Sequence, residues 1–194
     1  MTTTAHPPRE AFFDLPNDGR RRWIVGDQIR ELGYENQESE KAGRTIRSEI
    51  HSFVMADLVL ELGLWLRTQP APRGRITCGE AGIRLPGVDS TVGVDIAYIP
   101  HEVLAAKVGT STLTVGVPQL IVEILSPSDT LELTDEMVEL YLRAGVPRVW
   151  IVSPRRRELT VCRPDGPTKF YLPTDTLTDD LFPGLSLPLS RVFV

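Results

Sequence analysis

One segment constrains this chain more than any other. Residues 119–125, Gln-Leu-Ile-Val-Glu-Ile-Leu, form a nearly continuous apolar run with a single charge, Glu123. Pro118 precedes it, and the turn Ser126-Pro127-Ser128-Asp129 follows. A short apolar run bounded by turn residues reads as a strand buried on both faces. Such a strand needs other strands beside it and helices above and below.

The rest of the chain supplies them. Arg20 to Arg22 lead into a short strand at 23–25, Gly26-Asp27 turns, and 28–32 returns. A long helix is expected over 41–68, because Ile46, Ile50, Val54, Leu58 and Leu62 recur every fourth residue. The prolines at 70 and 72 end it. Short Gly-punctuated strands are expected at 75–78 and 81–85, and a stronger one at 92–99, closed by Pro100. A helical turn follows at 101–108, then connecting loop over 109–117. Asp129 and Glu132 have capping-box spacing, which starts a helix running to Ala144, where Gly145 and Pro147 stop it. Strands at 149–152, 158–163 and 169–172 come next, and a loop-rich tail runs from 174 to 194. The order predicts an α/β fold with one mixed sheet flanked by helices and additional β-hairpins. Residues 1–17 read as a flexible arm and 18–194 as a single domain.

The totals narrow the function. The 194 residues carry 21 Lys and Arg against 26 Asp and Glu, a net charge of -5. That argues against a broad non-specific nucleic-acid surface, which needs excess cations, but not against a local site. The two cysteines, Cys78 and Cys162, and the absence of an apolar leader over 1–8 point to a reducing cytoplasm. No apolar run is long enough to span a membrane; 59–66 is short and interrupted by Glu61.

Two carboxylates stand out. Asp95 lies among Val94, Ile96 and Tyr98, and Glu123 between Val122 and Ile124. A carboxylate inside a buried strand is costly unless it is paired or bound to a metal. Two hard oxygen ligands on successive core strands suit Mg²⁺ or Mn²⁺. A strand carboxylate can equally sit at an edge and face water, so the pattern by itself leaves both readings open.

Three segments together carry a resemblance: Gly79-Glu80-Ala81-Gly82 with Val92-Gly93-Val94-Asp95; 117–129, with its Glu-Ile-Leu-Ser-Pro-Ser turn; and 141–147, Tyr-Leu-Arg-Ala-Gly-Val-Pro, running into Val149-Trp150-Ile151-Val152. In that order they resemble the Uma-type restriction endonucleases, a bacterial family of the PD-(D/E)XK nuclease superfamily. The resemblance runs from about Arg21 to the C-terminus. It implies a restriction-endonuclease-like fold, with a four-stranded mixed core sheet and a strand hairpin delivering the ligands. It implies that Asp95 and Glu123 are metal ligands for Mg²⁺ or Mn²⁺, with DNA as the substrate whose phosphodiester bonds are hydrolysed. His51 matches a frequent family histidine and is a candidate auxiliary catalytic group or a helix-surface histidine. Glu80 is a candidate third acidic ligand or an exposed turn residue.

The chain departs from the family at one telling place. The lysine expected four residues before Tyr141 is Met137, which has no proton to give and reads as a core-filling side chain. No obvious substitute lysine is visible: Lys107 lies in a loop region and Lys169 in a late hairpin, and only the fold decides whether either reaches the site. Arg22 stands where many relatives carry a glutamate, and Ser153 where they carry an aspartate. The alternatives are therefore an endonuclease and a catalytically inactive nuclease-fold binding protein, with a homodimer possible through the first helix or the late hairpin. Arg155, Arg156 and Arg157 form a basic hairpin tip that reads as a solvated turn or a phosphate contact.

Overall fold

The computed structural model describes residues 20–25, 28–34, 47–106 and 112–193. The proposed arm at 1–17 and Lys107 lie outside the described residues.

The apolar run becomes β6 (Leu120–Ile124), every residue of it buried. It sits at the middle of a mixed sheet whose main path is β2-β1-β4-β6-β7-β8-β9. The strands are β1 (Arg20–Val25), β2 (Gln28–Tyr34), β3 (Arg75–Leu85), β4 (Ser90–Ile99), β5 (Thr114–Val115), β7 (Val149–Ser153), β8 (Glu158–Cys162) and β9 (Lys169–Tyr171). β3 pairs with β4 and carries β5 on its other side. β4 runs antiparallel to β6, and β6 runs parallel to β7. The parallel pair needs a crossover, and α3 (Leu131–Arg143) supplies it. The family resemblance implied four core strands; among the described residues the sheet has nine.

Helices cover both faces. α1 (Glu49–Thr68) buries His51, Val54, Leu58, Leu62 and Trp65. It packs on Ile96, Leu120, Val122, Ile124, Trp150 and Val152. α3 packs Met137, Leu140, Tyr141 and Ala144 on the other face, against Val94, Ala97, Ile121, Val149 and Ile151. The short α2 (His101–Ala105) follows β4.

The first helix differs from the expectation in two ways. It begins at Glu49, not Lys41, because Ser48 caps it by accepting the His51 amide at 3.3 Å. Its buried stripe is also different, since Ile50 is 51% exposed. A strict fourth-residue repeat drifts about 40° per step around a helix with 3.6 residues per turn. The real stripe, spaced 3, 4, 4 and 3, turns Ile50 to solvent and His51 inward. At α3 the expected cap is also displaced. Thr130 caps the helix through the Leu133 amide, while Asp129 closes the preceding turn by accepting from the Ser126 amide and hydroxyl.

The tail is the largest correction. It contains β10 (Thr176–Leu177) paired with β11 (Leu187–Pro188). Leu177, Phe182, Leu185, Leu187, Leu189, Val192 and Phe193 are all buried in the core beneath α1. The Phe182 ring meets Trp65 and Trp150 edge-on, with centroids at 5.4 and 6.3 Å. Trp65 Nε1 donates to the Pro183 carbonyl at 3.0 Å. Arg148 at the mouth of β7 holds Asp179 at 2.7 Å and Asp180 at 3.0 Å. Burial alone would lower the Arg148 pKa, but the hydrogen bond and charge of Asp179, aided by Asp180, raise it. The tail is thus a wall of the core.

Phe182→Ala is expected to cost about 3–5 kcal/mol, as a buried aromatic truncation does. Phe170→Ala, at an exposed site, should stay within about 0.5 kcal/mol. Urea unfolding of the two variants checks the contrast.

Candidate metal centre

The site is built where β4 stops pairing with β6. The ladder runs Tyr98↔Leu120, Ala97↔Ile121, Ile96↔Val122. One further step places Asp95 opposite Glu123. Instead of another backbone bond, the Asp95 side chain takes over: Oδ2 accepts the Ile124 amide at 2.8 Å. Asp95 is 2% exposed and Glu123 is fully buried.

Two irregularities create this arrangement. Val94 and Ala97 share the α3 face, while Ile96 lies on the α1 face. Alternation would group Val94 with Ile96, so β4 changes face at Asp95. Across from it, β3 bulges: Cys78 pairs with Ile96 and Ala81 with Val94, leaving Gly79 and Glu80 opposite Asp95 alone. Both bulge residues have left-handed backbones, Gly79 at φ 79° and Glu80 at φ 56°. Glycine adopts this without penalty, whereas glutamate adopts it at a cost. The two strands expected at 75–78 and 81–85 are therefore one strand with this bulge.

Side chains from three further elements converge on the carboxylates. His51, on the inward stripe of α1, places Nε2 3.3 Å from Asp95 Oδ2. Its Nδ1 is buried with no hydrogen-bond partner among the described residues. Arg47, just ahead of the Ser48 cap, lies 3.4 Å from Asp95 Oδ1 and is ion-paired to Glu80. Glu80 itself is largely exposed and joins Asp95 only through that shared guanidinium. Tyr141 donates its hydroxyl to Glu123 Oε1 at 2.5 Å. His51, Glu80, Asp95 and Glu123, all named from sequence, thus occupy one region. Arg47 and Tyr141 were missed as polar partners. Tyr141 was named only as the tyrosine that the resemblance matches, and Arg47 fell unremarked inside the helix expected over 41–68.

Met137 sits one turn before Tyr141 on the same buried face, 5% exposed, packed as a core residue. Lys169 cannot stand in for the expected lysine. It lies on β9, three strand spacings from β6, or about 14 Å, where it lines a separate pocket with Asp179 and Asp180. Arg22, where relatives carry a glutamate, bonds Glu31 across the β1–β2 hairpin at 2.6 Å.

The donor chemistry fits a hard divalent cation. Mg²⁺ takes one or two protein carboxylates and completes its octahedron with water and phosphate oxygens. Asp95 and Glu123, on the neighbouring strands β4 and β6, are the two buried carboxylates available for that share. Among the described residues no three His, Cys, Asp or Glu side chains are placed to hold a metal between them. The pair, not a full cage, is what the described protein offers. Beyond the carboxyl end of β6 opens a cleft of about 400 Å³, lined by Ser48, Ser126, Thr130, Ser153, Arg155 and Arg156 among others. The arginine tip of the β7–β8 hairpin therefore edges this cleft.

No helix among the described residues is long and apolar enough to cross a membrane.

Comparison with known proteins bears on the family and the fold. Residues 43–190 match the family described as "Uma2: Putative restriction endonuclease". No curated protein matches the chain. Among solved structures, a protein described as a "putative nuclease belonging to DUF820" from Anabaena variabilis is similar, with a TM-score of 0.72. It is 16% identical, and the match covers 95% of this chain and 96% of that one, a likeness of fold. The family match spans most of the sequence, including Asp95, Glu123 and the Met137 position, and the chain belongs to the Uma2 family of restriction-endonuclease-like proteins.

Proposed function

We propose that the chain is a Mg²⁺- or Mn²⁺-dependent endonuclease hydrolysing DNA phosphodiester bonds. The observation that carries this reading is the placement of Asp95 against the Glu123–Ile124 peptide, with both carboxylates buried. Asp95 and Glu123 would hold the ion. When bound, it supplies a Lewis acid toward a phosphoryl oxygen and lowers the pKa of a coordinated water.

The remaining residues have distinct tasks. The Ile124 amide and His51 Nε2 fix the orientation of Asp95. The Tyr141 hydroxyl does the same for Glu123. Arg47 is the positive charge at Asp95, compensating buried anions that Met137 cannot compensate. In the nuclease reading it turns toward the substrate phosphate, a role for which a guanidinium fork is well shaped. Glu80 anchors Arg47 from the bulge. The cleft edged by Arg155 and Arg156 is where a DNA backbone would lie.

A second reading is favoured by Met137. With methionine packed in the core at that position, and with Arg47 already paired to Asp95 and Glu80, the fold can bind DNA or metal without cutting. Cleavage assays separate the two. On plasmid and oligonucleotide DNA with Mn²⁺ or Mg²⁺, the native chain should cut and Asp95→Ala should not. Arg47→Ala should lose about 10²–10³ in rate, the usual cost of one well-placed electrostatic group. A silent native chain with an active Met137→Lys variant would mean a disarmed nuclease. Silence from both would remove the endonuclease reading.

A further inference from the structure

The outward face of α1 has no role in the site. Opposite the buried stripe, the exposed positions 49, 53, 56, 60, 64 and 67 recur every three or four residues, with 50, 52 and 68 exposed at the flanks. That is the three-four rhythm of a helix that packs against another helix. Phe53 is 58% exposed, Leu60 58%, Ile50 51% and Leu64 47%. Between Glu49 and Arg67 this face presents no fully exposed charge. Asp57 and Glu61 lie at its margins, half-buried, and Glu61 is held by Arg191 at 3.1 Å. Most surface helices show their charges on the solvent side; here the solvent side is apolar and small.

The pattern is complementary to itself when reversed. Glu49 and Arg67 stand at opposite ends, about 27 Å apart at a helical rise of 1.5 Å per residue. An antiparallel copy with Glu49 level with Arg67 sets Phe53 level with Gly63 and Leu60 level with Ala56. Each large side chain then meets a small one. A Cβ added at Gly63 would find nothing within 4 Å, so the seat for Phe53 is open. The same register brings Leu60 and Leu64 of the second copy level with Ala56 and Ser52. Those two residues line a groove of about 450 Å³ that runs past Met55, Val59 and Cys78 to Arg47 and Glu80 of the carboxylate site.

We propose that the chain forms a two-fold dimer in which α1 packs antiparallel on α1 of a second copy. Two-fold interfaces bring one patch against itself, and this patch is matched in both charge and size. Phe53 and Leu60 form the buried centre, and Glu49 with Arg67 of the other copy closes each end. The groove widens the contact beyond one helix pair, toward the ~1,200–2,000 Å² of a stable interface.

Sedimentation equilibrium on the full chain, from about 0.5 to 100 µM, tests the dimer. The native protein should sediment as twice the chain mass over most of that range. Leu60→Glu places a charge at the centre and should weaken association at least ~100-fold, with its circular-dichroism melt showing the fold intact. Glu49→Arg and Arg67→Glu should each weaken association several-fold, and the double exchange should restore it, because the pairing is reciprocal. A native monomer throughout, or a dimer indifferent to Leu60→Glu, would overturn the proposal. A double exchange no better than either single change would overturn the antiparallel register.

Discussion

The Ile124 amide bonded to the Asp95 carboxylate at 2.8 Å is the contact on which the site depends. Regular pairing of β4 with β6 would have used a backbone carbonyl there. A side-chain acceptor in its place ends the ladder, turns β4 to its other face and brings an anion beside Glu123. The β3 bulge makes room on one side, and the inward stripe of α1 delivers His51 on the other.

Anions in such a place need compensation, because an unpaired buried charge is among the most expensive features a core can hold. The chain supplies it from several directions: Arg47, His51 and a backbone amide on Asp95, and Tyr141 on Glu123. These partners permit folding without a metal. Arg47 is shared between Asp95 and Glu80.

Much of this was legible in the sequence, for physical reasons. A charge inside an apolar strand is conspicuous, so Asp95 and Glu123 stood out, and the Gly145–Pro147 stop and the Pro70–Pro72 stop marked helix ends well. Met137 was correctly read as core because its helix neighbours are apolar. The tail was not legible. Its strands are two residues long, too short for alternation to show, and Phe182, Leu187 and Val192 are buried by tertiary packing alone. The start of α1 was misplaced because Ile46 and Ile50 extended a four-residue rhythm past the Ser48 cap. Arg47 carried no signal at all: its role comes from the bulge at Glu80, a backbone feature invisible before β3 and β4 are paired.

The proposal that Asp95 and Glu123 together bind one divalent cation is tested most directly by Mn²⁺ titration followed by electron paramagnetic resonance, which does not require catalysis. One Mn²⁺ per chain is expected, displaced by excess Mg²⁺, with affinity falling at least ~10-fold in both Asp95→Asn and Glu123→Gln, the scale of a disturbed ligand set. No saturable Mn²⁺ in the native chain, or binding unchanged by either substitution, would contradict it and leave the two carboxylates as parts of a buried ion-pair network.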